Sequence, residues 1–213
     1  MQSKSTKITK KTQKNCKKFD FLQDFGDFQV ISPKNTFIEK GARIGKNCII
    51  YPNVYIDKNC IIGENTIIYS NTFIEGMVCE NGCEIGPSAH IRKNTKLGKC
   101  IRLGNFCEVK NSVIGDNTKI AHLSYVGDAV IGSGCNIGCG VVFANYDGVL
   151  KHKTFVGNNC FVGCNVNIIA PRNIGNNCFI GAGTTLTKDL KNNAFAVARA
   201  YLNIKENNGF NKE

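Results

Sequence analysis

Residues 38–74 read IEKGARIGKNCIIYPNVYIDKNCIIGENTIIYSNTFI, with isoleucine at every sixth position: Ile38, Ile44, Ile50, Ile56, Ile62, Ile68 and Ile74. A period of six fits neither the 3.6 of a helix nor the two-residue alternation of a long half-buried strand. It fits a three-sided parallel β-solenoid, in which each hexapeptide forms one face, three make a coil of about 18 residues, and equivalent side chains stack in interior columns. Outward from this stretch the beat slips by one residue and continues at Ile85, Ile91, Leu97, Leu103 and Val109. Further slips give Ile114, Ile120 and Val126, then Ile131 and Ile137, and after an interruption the beat resumes at Val156, Val162, Ile168, Ile174, Ile180 and Leu186. With Cys79 and Phe143 filling two beats, 23 of 25 are Ile, Leu or Val, which predicts an all-β solenoid of about eight coils over residues 31–190.

The positions around the beat agree. Gly follows it thirteen times, and three places after it Asn recurs at Asn47, Asn53, Asn59, Asn65, Asn71, Asn94, Asn117, Asn159 and Asn177. Asn tolerates left-handed backbone angles better than most residues, so the corners are predicted there. Two places before the beat the residue is compact. Seven of the twelve Cys occupy that slot (Cys48, Cys60, Cys83, Cys107, Cys135, Cys160 and Cys178), where a thiol acts as a small hydrophobe. This reading makes a disulfide framework unnecessary. The CxxxC spacings lack the partner His of a metal site, and no metal is expected.

Two stretches break the beat. Residues 1–30 hold seven Lys within 1–18 and no acid there, and are expected to be a solvated tail. Residues 1–18 carry +7 of the net charge of +11, leaving only +4 for the rest, so a nucleic-acid partner is not expected. The second break, residues 144–155 (ANYDGVLKHKTF), must bulge from the solenoid as a loop. Residues 191–213 are expected to form a tail with room for a short helix. With no apolar export segment and no run of eighteen apolar residues, the expected location is the cytoplasm, away from membranes.

Three His offer few catalytic bases. His90 sits directly before a beat, and His152 lies between Lys151 and Lys153. His122 follows the Ile120 beat by two, with Glu108 and Lys110 about one coil earlier, Arg92 earlier still, and Asn136 and Cys139 one coil later. A base, a carboxylate to orient it and two cations then share a surface. The plain alternative is solvated charge on a solenoid face.

The segments GNFCEVKNSVIGDNTKIAHLSYVGDAVIG, NIGCGVVFANYDGVLKHKT and FIGAGTTLTKDL resemble the C-terminal acetyltransferase domain of bacterial bifunctional N-acetylglucosamine-1-phosphate uridyltransferases, members of the hexapeptide-repeat acyltransferases. The resemblance implies a left-handed parallel β-helix and acetyl transfer from acetyl-CoA to the 2-amine of glucosamine 1-phosphate. It implies catalytic roles for His122 as general base and Glu108 as its carboxylate partner. It implies sugar-phosphate contacts at Arg92, Lys110, Tyr125, Asn136, Asn145 and Lys151, and coenzyme contacts at Cys139, Asn145, Tyr146, Cys164, Ala182 and Arg199. Cys139 and Cys164 stand where the family more often has Ala and Ser. It also implies a homotrimer with its site at a subunit interface. Uridylyl transfer is not expected, since a short Lys-rich tail cannot supply a nucleotide-binding domain. Two other readings remain open at this point: acyl transfer to another amino-sugar phosphate or a nucleotide sugar, and a non-catalytic oligomerisation module.

Overall fold

In the computed structural model, which describes residues 21, 24–200, 202 and 204, the chain winds as a left-handed parallel β-helix. The described residues contain 27 short strands in three parallel sheets of ten, nine and eight, the three faces of a triangular prism. The first face runs from Gln29–Val30 to Phe195–Ala196, the second from Phe37–Ile38 to Thr185–Leu186, and the third from Arg43–Ile44 to Arg172–Ile174. Strands pair with those one coil away, in registers such as Ile50 with Ile68 and Val109 with Val126.

The beats form the core. Of the 25, all but Ile44 are buried, and Ile44 packs against the cluster as a partly buried residue. Fully burying each such side chain contributes about 1.5–3 kcal/mol. The seven slot cysteines are at most 1 % exposed. Their thiols donate to the corner carbonyls of the next coil, as Cys48 Sγ to Gly63 O at 3.1 Å and Cys160 Sγ to Gly175 O at 3.1 Å. Burial pushes the Cys60 thiol up to about 12. Eight of the nine named asparagines have positive φ; Asn59 does not, and its N–H instead caps the Asp57 carboxylate at 3.0 Å.

The solenoid is longer than its beat. About nine coils form rather than eight. Gln29–Val30 pairs with Ile49–Ile50, so residues expected in the tail open the first coil, and Phe25 and Phe28 pack against the core. At the other end Phe195–Ala196 pairs with Phe179–Ile180, so a strand stands where a tail with a helix was expected. The Lys-rich stretch up to residue 20 and the chain from 205 onward lie outside the described residues. The loop is tighter than 144–155, because Val142–Ala144 and Thr154–Val156 are strands on either side of it.

Candidate active site

Two corners of the prism hold the chemistry. At the corner between first and second faces, Asn105, His122, Cys139, Cys164 and Ala182 occupy equivalent places on successive coils. Each is tied to the next by the backbone: Leu123 N–H donates to Asn105 O at 2.9 Å, Gly140 to His122 O at 3.4 Å, Asn165 to Cys139 O and Gly183 to Cys164 O, both at 2.8 Å. Four residues expected at the base or along the coenzyme therefore form one uninterrupted column. His122 is exposed at the end of the strand Lys119–His122, and its ring has no hydrogen-bond partner among the described residues. Arg199 passes the lower end of the column, with its Cγ and Cδ 3.8 Å from where a Cβ on Gly183 would sit.

The corner between second and third faces is charged. Arg92 and Lys110 are stacked on adjacent coils, and the loop brings Lys151 over them. Together with Glu75, Lys93, Asn94, Asn111 and Asp128 they line a cleft of about 450 Å³. Lys110 is held below the ordinary lysine range, chiefly by the neighbouring Lys151 ammonium, whereas Arg92 is raised by its bond to Glu108. Two adjoining ammonium groups and a guanidinium favour an anion. Arg92 folds back along the second face, where Nη1 donates to Glu108 Oε1 at 2.9 Å. In the single chain Glu108 is thus engaged by Arg92, and no hydrogen bond joins it to His122. The register explains this, because Glu108 pairs with Tyr125 while His122 pairs with Asn105 across the corner.

Tyr125 and Asn145 meet above Gly127, where a Cβ would lie 2.5 Å from Tyr125 Oη and 2.7 Å from Asn145 Nδ2. Asn145 is buried and donates through Nδ2 to Asp128 Oδ2 at 2.5 Å; Asn111 Nδ2 donates to the other oxygen of the same carboxylate. Asp128, absent from the sequence expectations, is therefore the brace of this corner. Its signal was the GDA of HLSYVGDA, an acid with φ 51° at a turn usually given to Asn or Gly. In the loop, Asp147 accepts from Val149 and Leu150 N–H at 2.8 and 2.7 Å and contacts His152 Nε2 at 2.5 Å, while exposed Tyr146 donates to Gly148 O. Asn136 stands apart on the first face, paired with Lys119. His90 lies edge-on to Phe73 and 3.7 Å from Glu75 Oε2. No cluster of three or more His, Cys, Asp or Glu suited to a metal occurs among the described residues.

A parallel β-helix with stacked hexapeptides, an exposed imidazole at one corner and a cationic cleft at the next defines the hexapeptide-repeat class. Residues 41–76 and 153–188 match the family described as bacterial transferase hexapeptide (six repeats), and residues 73–149 match the GMPPB C-terminal domain. The chain belongs to the bacterial hexapeptide transferases and is related to the bifunctional protein GlmU. It is 43 % identical over 175 residues to GlmU of Clostridium kluyveri, covering 82 % of this chain and 38 % of that protein. It is 45 % identical over 194 residues to GlmU of Caldicellulosiruptor saccharolyticus, covering 84 % and 42 %. The chain therefore spans about two fifths of the length of the curated relatives it matches. Among solved structures, LpxA of Bacteroides fragilis, a UDP-N-acetylglucosamine acyltransferase, shares the fold with a TM-score of 0.54 at 22 % identity, over 80 % of this chain and 71 % of that one. In the described residues no helix is long and apolar enough to cross a membrane.

Proposed function

We propose that this chain transfers the acetyl group of acetyl-CoA to the 2-amine of glucosamine 1-phosphate, acting as a homotrimer. The observation that carries the reading is the column His122, Cys139, Cys164, Ala182 at one corner with a cleft formed by Arg92, Lys110 and Lys151 at the next. The coenzyme lies along the column, with its phosphates toward Arg199 and its thioester toward His122. The sugar 1-phosphate is held by the three cations, and Tyr125 and Asn145 fix the ring. His122 takes a proton from the amine as nitrogen attacks the thioester carbonyl carbon; the C–N bond forms, the C–S bond breaks, and the coenzyme leaves as a thiol. Backbone N–H groups steady the oxyanion. Glu108, by holding Arg92, keeps a positive charge on the second face between the phosphate cleft and the base.

The reading is tested by thiol release from acetyl-CoA against glucosamine 1-phosphate, glucosamine 6-phosphate and UDP-linked amino sugars. The first is expected to be the best acceptor. His122→Ala should lower kcat by about 10²–10⁴-fold, the worth of a general base, with the fold unchanged by circular dichroism. Turnover close to that of the unaltered chain removes His122 from the mechanism.

A further inference from the structure

Cys139 and Cys164 are partly exposed and exposed, unlike the seven slot cysteines. They are consecutive members of the His122 column, joined through the 2.8 Å bond from Asn165 N–H to Cys139 O. The glycines just before them keep the two coils close: a Cβ on Gly138 would lie 2.7 Å from Cys164 N. Hydrogen-bonded neighbouring strands set Cα atoms about 4.8 Å apart, inside the range of roughly 4.4–6.8 Å that a disulfide spans, and the two Cβ atoms need to close by only a few tenths of an ångström to reach the roughly 3.5–4.5 Å of the bond. The two residues hold equivalent places of the corner on adjacent coils. Cys100, the other exposed thiol among the described residues, lies at the corner between third and first faces, against Gly82.

We infer that Cys139 and Cys164 form a reversible dithiol–disulfide site on the acyl-donor edge, closed by exchange with a low-molecular-weight disulfide. The inference rests on reading this edge as the coenzyme path. The Cys164 thiolate, the more exposed, attacks one sulfur of the small disulfide and expels one thiolate. Cys139 then gives up its proton and attacks the Cys164 sulfur, expelling the second. The protein pair loses two electrons and two protons, and the small disulfide gains them as two free thiols. The new bond lies across the rungs between His122 and Ala182, where it displaces the thioester.

The test treats the full reduced chain with oxidised glutathione under native conditions, alkylates remaining thiols, and maps peptides by mass spectrometry. The expected product is a Cys139–Cys164 linked peptide, two hydrogens lighter than the reduced pair, with Cys100 carrying glutathione or alkyl. Its formation should accompany loss of acetyl transfer by about 100-fold, as for a misplaced reacting group, with recovery in dithiothreitol. Cys164→Ser should give no linked peptide and leave glutathione on Cys139. Saturating acetyl-CoA should slow the linking, a readout that needs no acceptor and no turnover. A chain that is linked and protected by acetyl-CoA yet inactive toward every acceptor would fail the proposed acetyl transfer while upholding the thiol site. Absence of the linked peptide, or linking that acetyl-CoA does not slow and that leaves turnover intact, overturns it.

Discussion

Two glycines separate the cost of disturbing the site from the cost of disturbing the fold. At Gly127 an added Cβ meets side-chain atoms of Tyr125 and of the buried Asn145, whereas at Gly104 it would lie 1.8 Å from the Ala121 carbonyl oxygen, which belongs to the backbone of the next coil. Gly127→Ala should therefore raise the acceptor KM about tenfold, near the worth of one hydrogen bond to a charged group, ~1.5 kcal/mol, with a fall in Tm smaller than that at Gly104. Gly104→Ala should lower Tm sharply or prevent folding, and the pair of measurements tells the two apart. Lys110 yields a second prediction. Because Lys151 holds it below the ordinary lysine range, its ammonium is lost at a lower pH than that of a free lysine, and phosphate affinity goes with it. Lys151→Met removes the main cause, so the alkaline rise in acceptor KM should move to higher pH even though overall affinity falls. An unmoved limb would separate Lys110 from the phosphate.

At the scale of elements, the loop between Val142–Ala144 and Thr154–Val156 is built around one carboxylate. His152 beside Asp147, with two backbone N–H donors, holds that carboxyl well below the usual range. A depressed folded value means the ordering is fully present above the ordinary carboxylate pKa of about 3.9 and is lost only as pH falls through the folded value. Asp147→Ala should make the loop a protease-sensitive site at neutral pH, while the unaltered loop resists cleavage down to mildly acidic pH; limited proteolysis reads both. The core strands were legible because one apolar residue per hexapeptide leaves a period that survives every slip. The loop was legible as a gap in that period. Asp128 was not, because its two partners come from the coils before and after it, and only the exact register pairs it with Asn111 and Asn145. The terminal coils were hidden for a different reason. The turn at Pro33–Asn35 throws Val30 off the beat, and Ala196 is too small to read as core. Glu108 and His122 share no hydrogen bond in the single chain because coil neighbours in sequence can stand on either side of a corner.

At the scale of the whole molecule, the prism keeps its functional corners apart. His122 ends a first-face strand and Gly127, which pairs with Lys110, ends the second-face strand Tyr125–Gly127, five residues on and at most about 18 Å away. Asn136 is farther round still, on the first face. Glucosamine 1-phosphate carries its amine and phosphate on adjacent carbons, so this acceptor does not stretch from Asn136 to the cationic cleft of the same chain. If three prisms pack as proposed with the first face of one against the charged corner of another, this gap closes. The exposed aromatic stack of Phe161, Phe179 and Phe195 on the first face offers apolar surface for such packing. The consequence is open to complementation. His122→Ala and Lys110→Met chains, each inactive alone, should regain activity when refolded together. If each site takes its imidazole from one protomer and its cation from the next, an equal mixture leaves about one quarter of sites with both groups. A mixture no more active than either variant would place both groups of each site in one protomer, and would leave Asn136 as the residue contributed across the interface or as no part of the site.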